Sequence, residues 1–122
     1  MNMPGKFCVS LSAAKDNTDK ATVAFVIANA AVASDKETIV FLSVEGVRLA
    51  VKNYADGIHE EGFAPLNDLM ANFAAAGGKI YTCSPCFKRR GLDEKNLLAG
   101  AVIVGGAKLV EFLSDGSPCV SY

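Results

Sequence analysis

Thr38-Ile39-Val40-Phe41-Leu42-Ser43-Val44 decides the fold. Its core, Ile39 to Leu42, is apolar at successive positions instead of alternating, which is what a strand needs when helices cover both faces of its sheet. Working outward, four more short runs of β-type residues occur at Phe7 to Ser12, Lys79 to Thr82, Ala101 to Val104 and Cys119 to Tyr122, with helical stretches between them. The alternation predicts a three-layer α/β/α sandwich around a five-stranded, mostly parallel sheet. The length of 122 residues fits a single domain over 1–122.

The first helix is predicted to start at the Asp16-Asn17-Thr18-Asp19 cluster, whose short oxygens cap free backbone N–H groups, and to run to about Ser34. From Val23 to Ala33 only Asn29 is polar, so this helix must be buried on more than one side, against the sheet and, by hypothesis, against another subunit. A short helix is expected over Glu45 to Val51, then a loop from Tyr54 to Ala64, then a helix that opens at Pro65 and ends before Gly77-Gly78. Ala107 to Leu113 reads as the last helix.

Hydrophobic residues make up 51% of the chain and charged residues 20%, so disorder is excluded and some apolar surface is left over for a subunit interface. The net charge is -1, with no basic stripe to neutralise phosphates, which argues against nucleic acid as a partner. Met1 to Ser12 is too short in apolar residues for a secretory signal and no later run reaches membrane-spanning length, so a cytoplasmic, non-membrane protein is expected. In a reducing compartment the four cysteines read as core residues, metal ligands or reactive thiols, not as staples.

Thr82-Cys83-Ser84-Pro85-Cys86 directly follows the third strand, and Phe87-Lys88-Arg89-Arg90-Gly91 comes next. Open α/β sheets place their chemistry at the carboxyl ends of strands, so Cys83 stands where a nucleophile is expected. A helical turn opening at Cys83 or Ser84, with Lys88, Arg89 and Arg90 nearby, is expected to favour the thiolate at Cys83. Zinc is weighed and set aside, because only one CxxC is present and Cys8, Cys119 and His59 lack metal-ligand spacing. Cys8 and Cys119 are taken as core, with Cys119 a candidate helper. His59, in the loop Asp56 to Phe63, is either solvated or part of a lid over Cys83, and Glu45 after the second strand is either a site residue or a helix-starting acid. Gly105-Gly106-Ala107-Lys108 matches no phosphate-loop pattern and reads as tight packing.

The chain resembles the DsrE/DsrF-like family, the small sulfur-relay proteins that include TusD-like and peroxiredoxin-like members. The resemblance runs along nearly the whole length: Ile39-Val40-Phe41-Leu42 leading to Glu45-Gly46-Val47-Arg48-Leu49, Ala55-Asp56-Gly57-Ile58-His59 with Gly62-Phe63, Gly77-Gly78-Lys79-Ile80-Tyr81, Arg89-Arg90-Gly91, Ile103-Val104-Gly105 and Leu109-Val110-Glu111-Phe112. It implies that Cys83 accepts sulfane sulfur as a persulfide and passes it to a partner thiol, acting as a sulfur carrier or sulfurtransferase. Cys86 matches the extra cysteine of a CxxC-containing subgroup, which releases sulfur by forming a disulfide. On this reading Cys83→Ser abolishes sulfur loading, while Cys86→Ser keeps loading and alters release. Ser84, Lys88, Arg89, Arg90, Glu45 and His59 would support the pair. The resemblance further implies a homotrimer or homohexamer, sulfur donor and acceptor proteins or small sulfane sulfur compounds as partners, and no dissociable cofactor. Two alternatives stay open: a thiol–disulfide oxidoreductase or peroxidase using Cys83 and Cys86, and a non-catalytic oligomeric binding module.

Overall fold

The computed structural model describes residues 5–122; Met1 to Pro4, the start of the segment read for a leader, lie outside the described residues. Five strands, β1 (Lys6–Leu11), β2 (Glu37–Leu42), β3 (Lys79–Cys83), β4 (Ala101–Val104) and β5 (Cys119–Ser121), form one sheet in the order β4-β3-β2-β1-β5. Every neighbouring pair is parallel, which sharpens the expectation of a mostly parallel sheet. Among the described residues the α-helices are α1 (Thr18–Ala33), α2 (Leu66–Ala75), α3 (Ser84–Arg89) and α4 (Gly106–Leu113).

From β1 to β4 each strand steps to the same side, and α1, α2 and the buried Phe87 of α3 pack on one face. The chain then crosses back through α4 to place β5 beside β1. Side chains alternate accordingly. Val9, Leu11, Val40, Leu42 and Ile80 enter the large core under α1 and α2, while Cys8, Ile39 and Phe41 meet Phe112 of α4 on the other face. The unbroken apolar run of β2 is thus accounted for by a central strand buried from Thr38 to Leu42.

Asn17 caps α1, its side chain accepting from the Lys20 N–H at 3.1 Å. The helix is apolar nearly all round because α2 lies along its flank: Phe25 and Phe73 meet edge to face at 5.9 Å, and the Asn29 amide donates to the carbonyls of Phe25 (2.8 Å) and Leu69 (3.0 Å). Burying two such phenyl rings contributes about 2–3 kcal/mol each. Much of the burial demand assigned to another subunit is therefore met within the chain. The less covered surface is the opposite face of the sheet, where among the described residues only α4 packs; Val102 of β4 and Val110 on α4 remain 46% and 67% exposed.

Some boundaries differ from the expectations. The segment after β2 forms a 3₁₀ helix over Val44–Ala50, because Gly46 is held against β1 by hydrogen bonds from its N–H to the Ser12 and Ser43 carbonyls. Pro65 is the cap of α2 and Leu66 its first residue. A further 3₁₀ turn, Glu94–Asn96, had no forecast; Asp93 opens it by accepting from the Lys95 N–H at 2.9 Å. Among the described residues no helix is long and apolar enough to cross a membrane.

Candidate functional site at the end of the third strand

β2 and β3 run in register to Leu42 and Thr82, so the turn that follows β2 lies beside Cys83, the last residue of β3. That turn is pinned. The Ser43 N–H bonds the Leu11 carbonyl at 3.0 Å, and a Cβ on Gly46 would collide with the same Leu11 oxygen. Only glycine permits this approach. Between these anchors Val44 takes a left-handed backbone, φ 53°, with its side chain 49% exposed. A β-branched residue in that region is strained by about 1–2 kcal/mol.

Across from the turn, Cys83 caps α3 and Pro85 sits in the first helical turn. Glu45 joins the two elements. Its carboxylate accepts from Arg48 Nε at 2.8 Å and from Arg90 Nε at 2.6 Å, while Arg90 Nη1 donates to the Cys86 carbonyl at 3.1 Å. These bonds, from Arg90 first and Arg48 second, hold the Glu45 carboxyl below its usual range. Glu45 is thus the brace of α3 and not merely a helix-starting acid.

An open cleft of about 430 Å³ is lined by Val44, Pro85, Cys86, Arg89 and Arg90. Cys83 is not part of its lining; its side chain packs against both apolar clusters. The two thiols differ accordingly. At Cys83 burial leads and pushes the thiol up, with the Cys86 sulfur adding to the rise and the Cys86 N–H and Arg90 opposing it. At Cys86 burial works against the anion too, but the Val44 backbone N–H, the Cys83 thiol, Arg90 and Arg89 outweigh it and bring the thiol below its ordinary value. The expected preference for a thiolate at Cys83 is therefore reversed. The physical reason is that α3 has only six residues and a small dipole, that the contact between the two thiols favours the anion at Cys86 over Cys83, and that Arg90 acts on both sulfurs while Arg89 adds its charge at the second.

Of the other residues singled out in the sequence, Arg89 and Arg90 are brought to the site. Ser84 is half-buried at the start of α3. Lys88 faces a different hollow with Leu92, Asp93 and Ile103, so it does not contribute to the cysteine cleft. His59 is exposed and bonds the Phe63 carbonyl of its own loop at 2.7 Å. That loop is tied to α1 by Thr18 and Glu60 and to α2 by Asp56 and Asn67, so the lid reading finds no contact with Cys83. Cys8 is core, as expected, but Cys119 is exposed on the edge strand, in register with Cys8 and away from the CxxC pair. Burial, then the neighbouring Cys119 thiol, pushes the Cys8 thiol far up and leaves it inert. Val44 and Arg48 had escaped the sequence reading; the one available signal was Gly46 directly after a strand.

A separate apolar hollow of about 380 Å³, with Met70, Ala74, Ile80 and Leu98 in its wall, carries no titratable side chain. Among the described residues no group of three or more His, Cys, Asp or Glu side chains is placed to hold a metal ion.

Comparison with known proteins finds that the DsrE/DsrF-like family model matches residues 5–121. Two proteins of Methanocaldococcus jannaschii are similar in sequence. The uncharacterized protein MJ0760 is 34% identical over 98 residues, 80% of this chain but 36% of that protein, so the chain spans about a third of its length. The uncharacterized protein MJ0989 is 27% identical over 117 residues, 96% of this chain and 99% of that protein. Among solved structures, the YchN protein from E. coli superimposes with a TM-score of 0.80 at 16% identity, covering 98% of this chain and 100% of that one.

Proposed function

Because the chain belongs to the DsrE/DsrF-like family, which is associated with sulfur relay, we propose that it is a sulfur carrier or sulfurtransferase. It accepts sulfane sulfur as a persulfide at the Cys83–Cys86 pair and passes it to a partner thiol. The observation that supports this most is the pairing of two interacting thiols beside an arginine-walled cleft at the carboxyl end of β3, one of them favoured as the anion. A cysteine thiolate attacks the outer sulfur of a donor persulfide; a new S–S bond forms, the donor's S–S bond breaks and the donor leaves as a thiolate. No external oxidant or reductant is consumed. Cys83, at the position that the resemblance assigns to the carrier, holds the sulfur for hand-over.

The reading places the chain in the cytoplasm as a single domain within a homotrimer or homohexamer. The incompletely covered sheet face around Val102 and Val110 is the surface suited to assembly. Donor and acceptor are proteins with reactive cysteines or small sulfane sulfur compounds.

A second reading, thiol–disulfide exchange, draws support from the contact between the Cys83 and Cys86 thiols. Intact mass of the reduced protein after exposure to polysulfide separates the two. A gain of about one sulfur, removed by reductant and absent from the doubly substituted Cys83→Ser, Cys86→Ser protein, is expected for the carrier. Loss of two hydrogens in the unsubstituted protein, with no sulfur gained by either the Cys83→Ser or the Cys86→Ser protein, overturns it in favour of exchange, and no change in mass overturns both.

A further inference from the structure

The two cysteines are not equivalent, and the difference has a direction. Both thiols are half-buried and pack against the main apolar cluster, but Cys86 also lines the open cleft together with Arg89 and Arg90, whereas Cys83 is absent from that lining and instead touches the second cluster on the other face of the sheet as well. Val44, held in its strained conformation by the Ser43 and Gly46 anchors, forms the opposite wall of the cleft. Arg90 is fixed from two sides, by Glu45 and by the Cys86 carbonyl, so its charge does not wander from the sulfur. An incoming sulfane compound, anionic near neutral pH, meets Arg89, Arg90 and the Cys86 sulfur before it can meet Cys83.

From this arrangement we propose that Cys86 is the entry thiol and Cys83 the second, so that sulfur is loaded on Cys86 and then moves inward to Cys83. The proposal rests on the carrier reading above and deepens it by assigning an order. The lowered thiol value at Cys86 and the raised one at Cys83 agree with that order. In the first step the Cys86 thiolate attacks the outer sulfur of an anionic persulfide or polysulfide, forming Cys86–S–S and expelling the donor thiolate. In the second, Cys83 loses its proton to water and attacks the outer sulfur of that persulfide. The bond from Cys86 breaks, and Cys86 is regenerated as thiolate. Both steps are exchanges at sulfur with no net change in oxidation state. Val44 and Arg90 are positioning residues: they fix the charge that Cys86 carries.

The order is tested on the reduced full chain by brief exposure to iodoacetamide across a range of pH, with each cysteine quantified by peptide mapping. Near neutral pH, Cys86 is expected to be modified roughly tenfold faster than Cys83. In Arg89→Met its rate falls near neutral pH and recovers at high pH, a shift of the profile that a merely structural loss would not give. Polysulfide is the loading probe. Cys83→Ser should retain sulfur at Cys86, and Cys86→Ser should lose the fast phase of loading. Faster modification of Cys83, or loading of Cys86→Ser at the unsubstituted rate, overturns the order. The alkylation arm involves no sulfur transfer, so an unloaded protein whose Cys86 still reacts first would sink the carrier reading alone.

Discussion

Glu45 and Arg90, 45 residues apart in sequence, meet at 2.6 Å and lock the turn after β2 to the helix that carries Cys86. Arg90 is mostly buried in this pair, with 15% of its side chain exposed against 33% for Glu45. Replacing Arg90 with Met removes a cation that favours the anion at both thiols and leaves Glu45 with Arg48 alone. The pH midpoint of Cys86 alkylation is expected to rise by a few tenths to about one unit. An unchanged midpoint would mean that Arg90 is only a structural tie.

The same pair gives an acid-sensitive contribution to stability. Glu45 has its carboxyl pKa lowered from the ordinary 4.5, so its contribution is complete above 4.5 and fades as pH falls through the lower value of the folded state. Urea denaturation of the parent and of Glu45→Gln should therefore differ near neutral pH and converge well below pH 4.5. A gap that persists at strongly acidic pH would assign the effect to packing.

At Gly46, a methyl group would collide with the Leu11 carbonyl, a backbone atom with little freedom to retreat. Gly46→Ala is expected to lose at least about 2 kcal/mol in denaturant titrations. In the fraction that remains folded, Cys86 should alkylate more slowly near neutral pH, because Val44 and Glu45 are displaced together. Parent-like stability would show that the turn can move away from β1.

Thr22, on α1, is fully buried and its hydroxyl has no hydrogen-bond partner in the structure. Thr22→Val keeps the shape and removes the unpaired group, so the folded state should gain about 1 kcal/mol. A loss measured in urea would reveal a hydroxyl that is in fact bonded.

The open sheet face makes a prediction about assembly. Val110 is 67% exposed on α4, and Val110→Asp places a charge there at little cost to an isolated chain. Sedimentation velocity should show smaller species for the variant than for the parent. Identical sedimentation would move the assembly surface elsewhere.

Much of the architecture was legible because one kind of signal carried it. The apolar run Thr38 to Leu42, the cap at Asn17 and the glycines after α2 are local features, and local features are written in consecutive residues. The position of Cys83 at the end of β3 was equally plain. What stayed hidden depends on contacts between distant segments. Nothing near Glu45 announces Arg90, and a left-handed Val44 contradicts its own preference, so it can exist only where β1 and Gly46 hold the turn. The charge preference of the two thiols followed those contacts and not the spacing of the motif. The burial of α1 was legible, but its covering by α2 was not, so part of that burial was assigned by hypothesis to another subunit.

Val44 carries a wider consequence. Glycine at that position would relieve the backbone strain and, by the usual measure, give a more stable protein. It would also leave the N–H beside Cys86 free to drift. Heat resistance and thiol reactivity thus pull position 44 in opposite directions, and a chain selected only for survival at high temperature would be expected to blunt its chemistry there first.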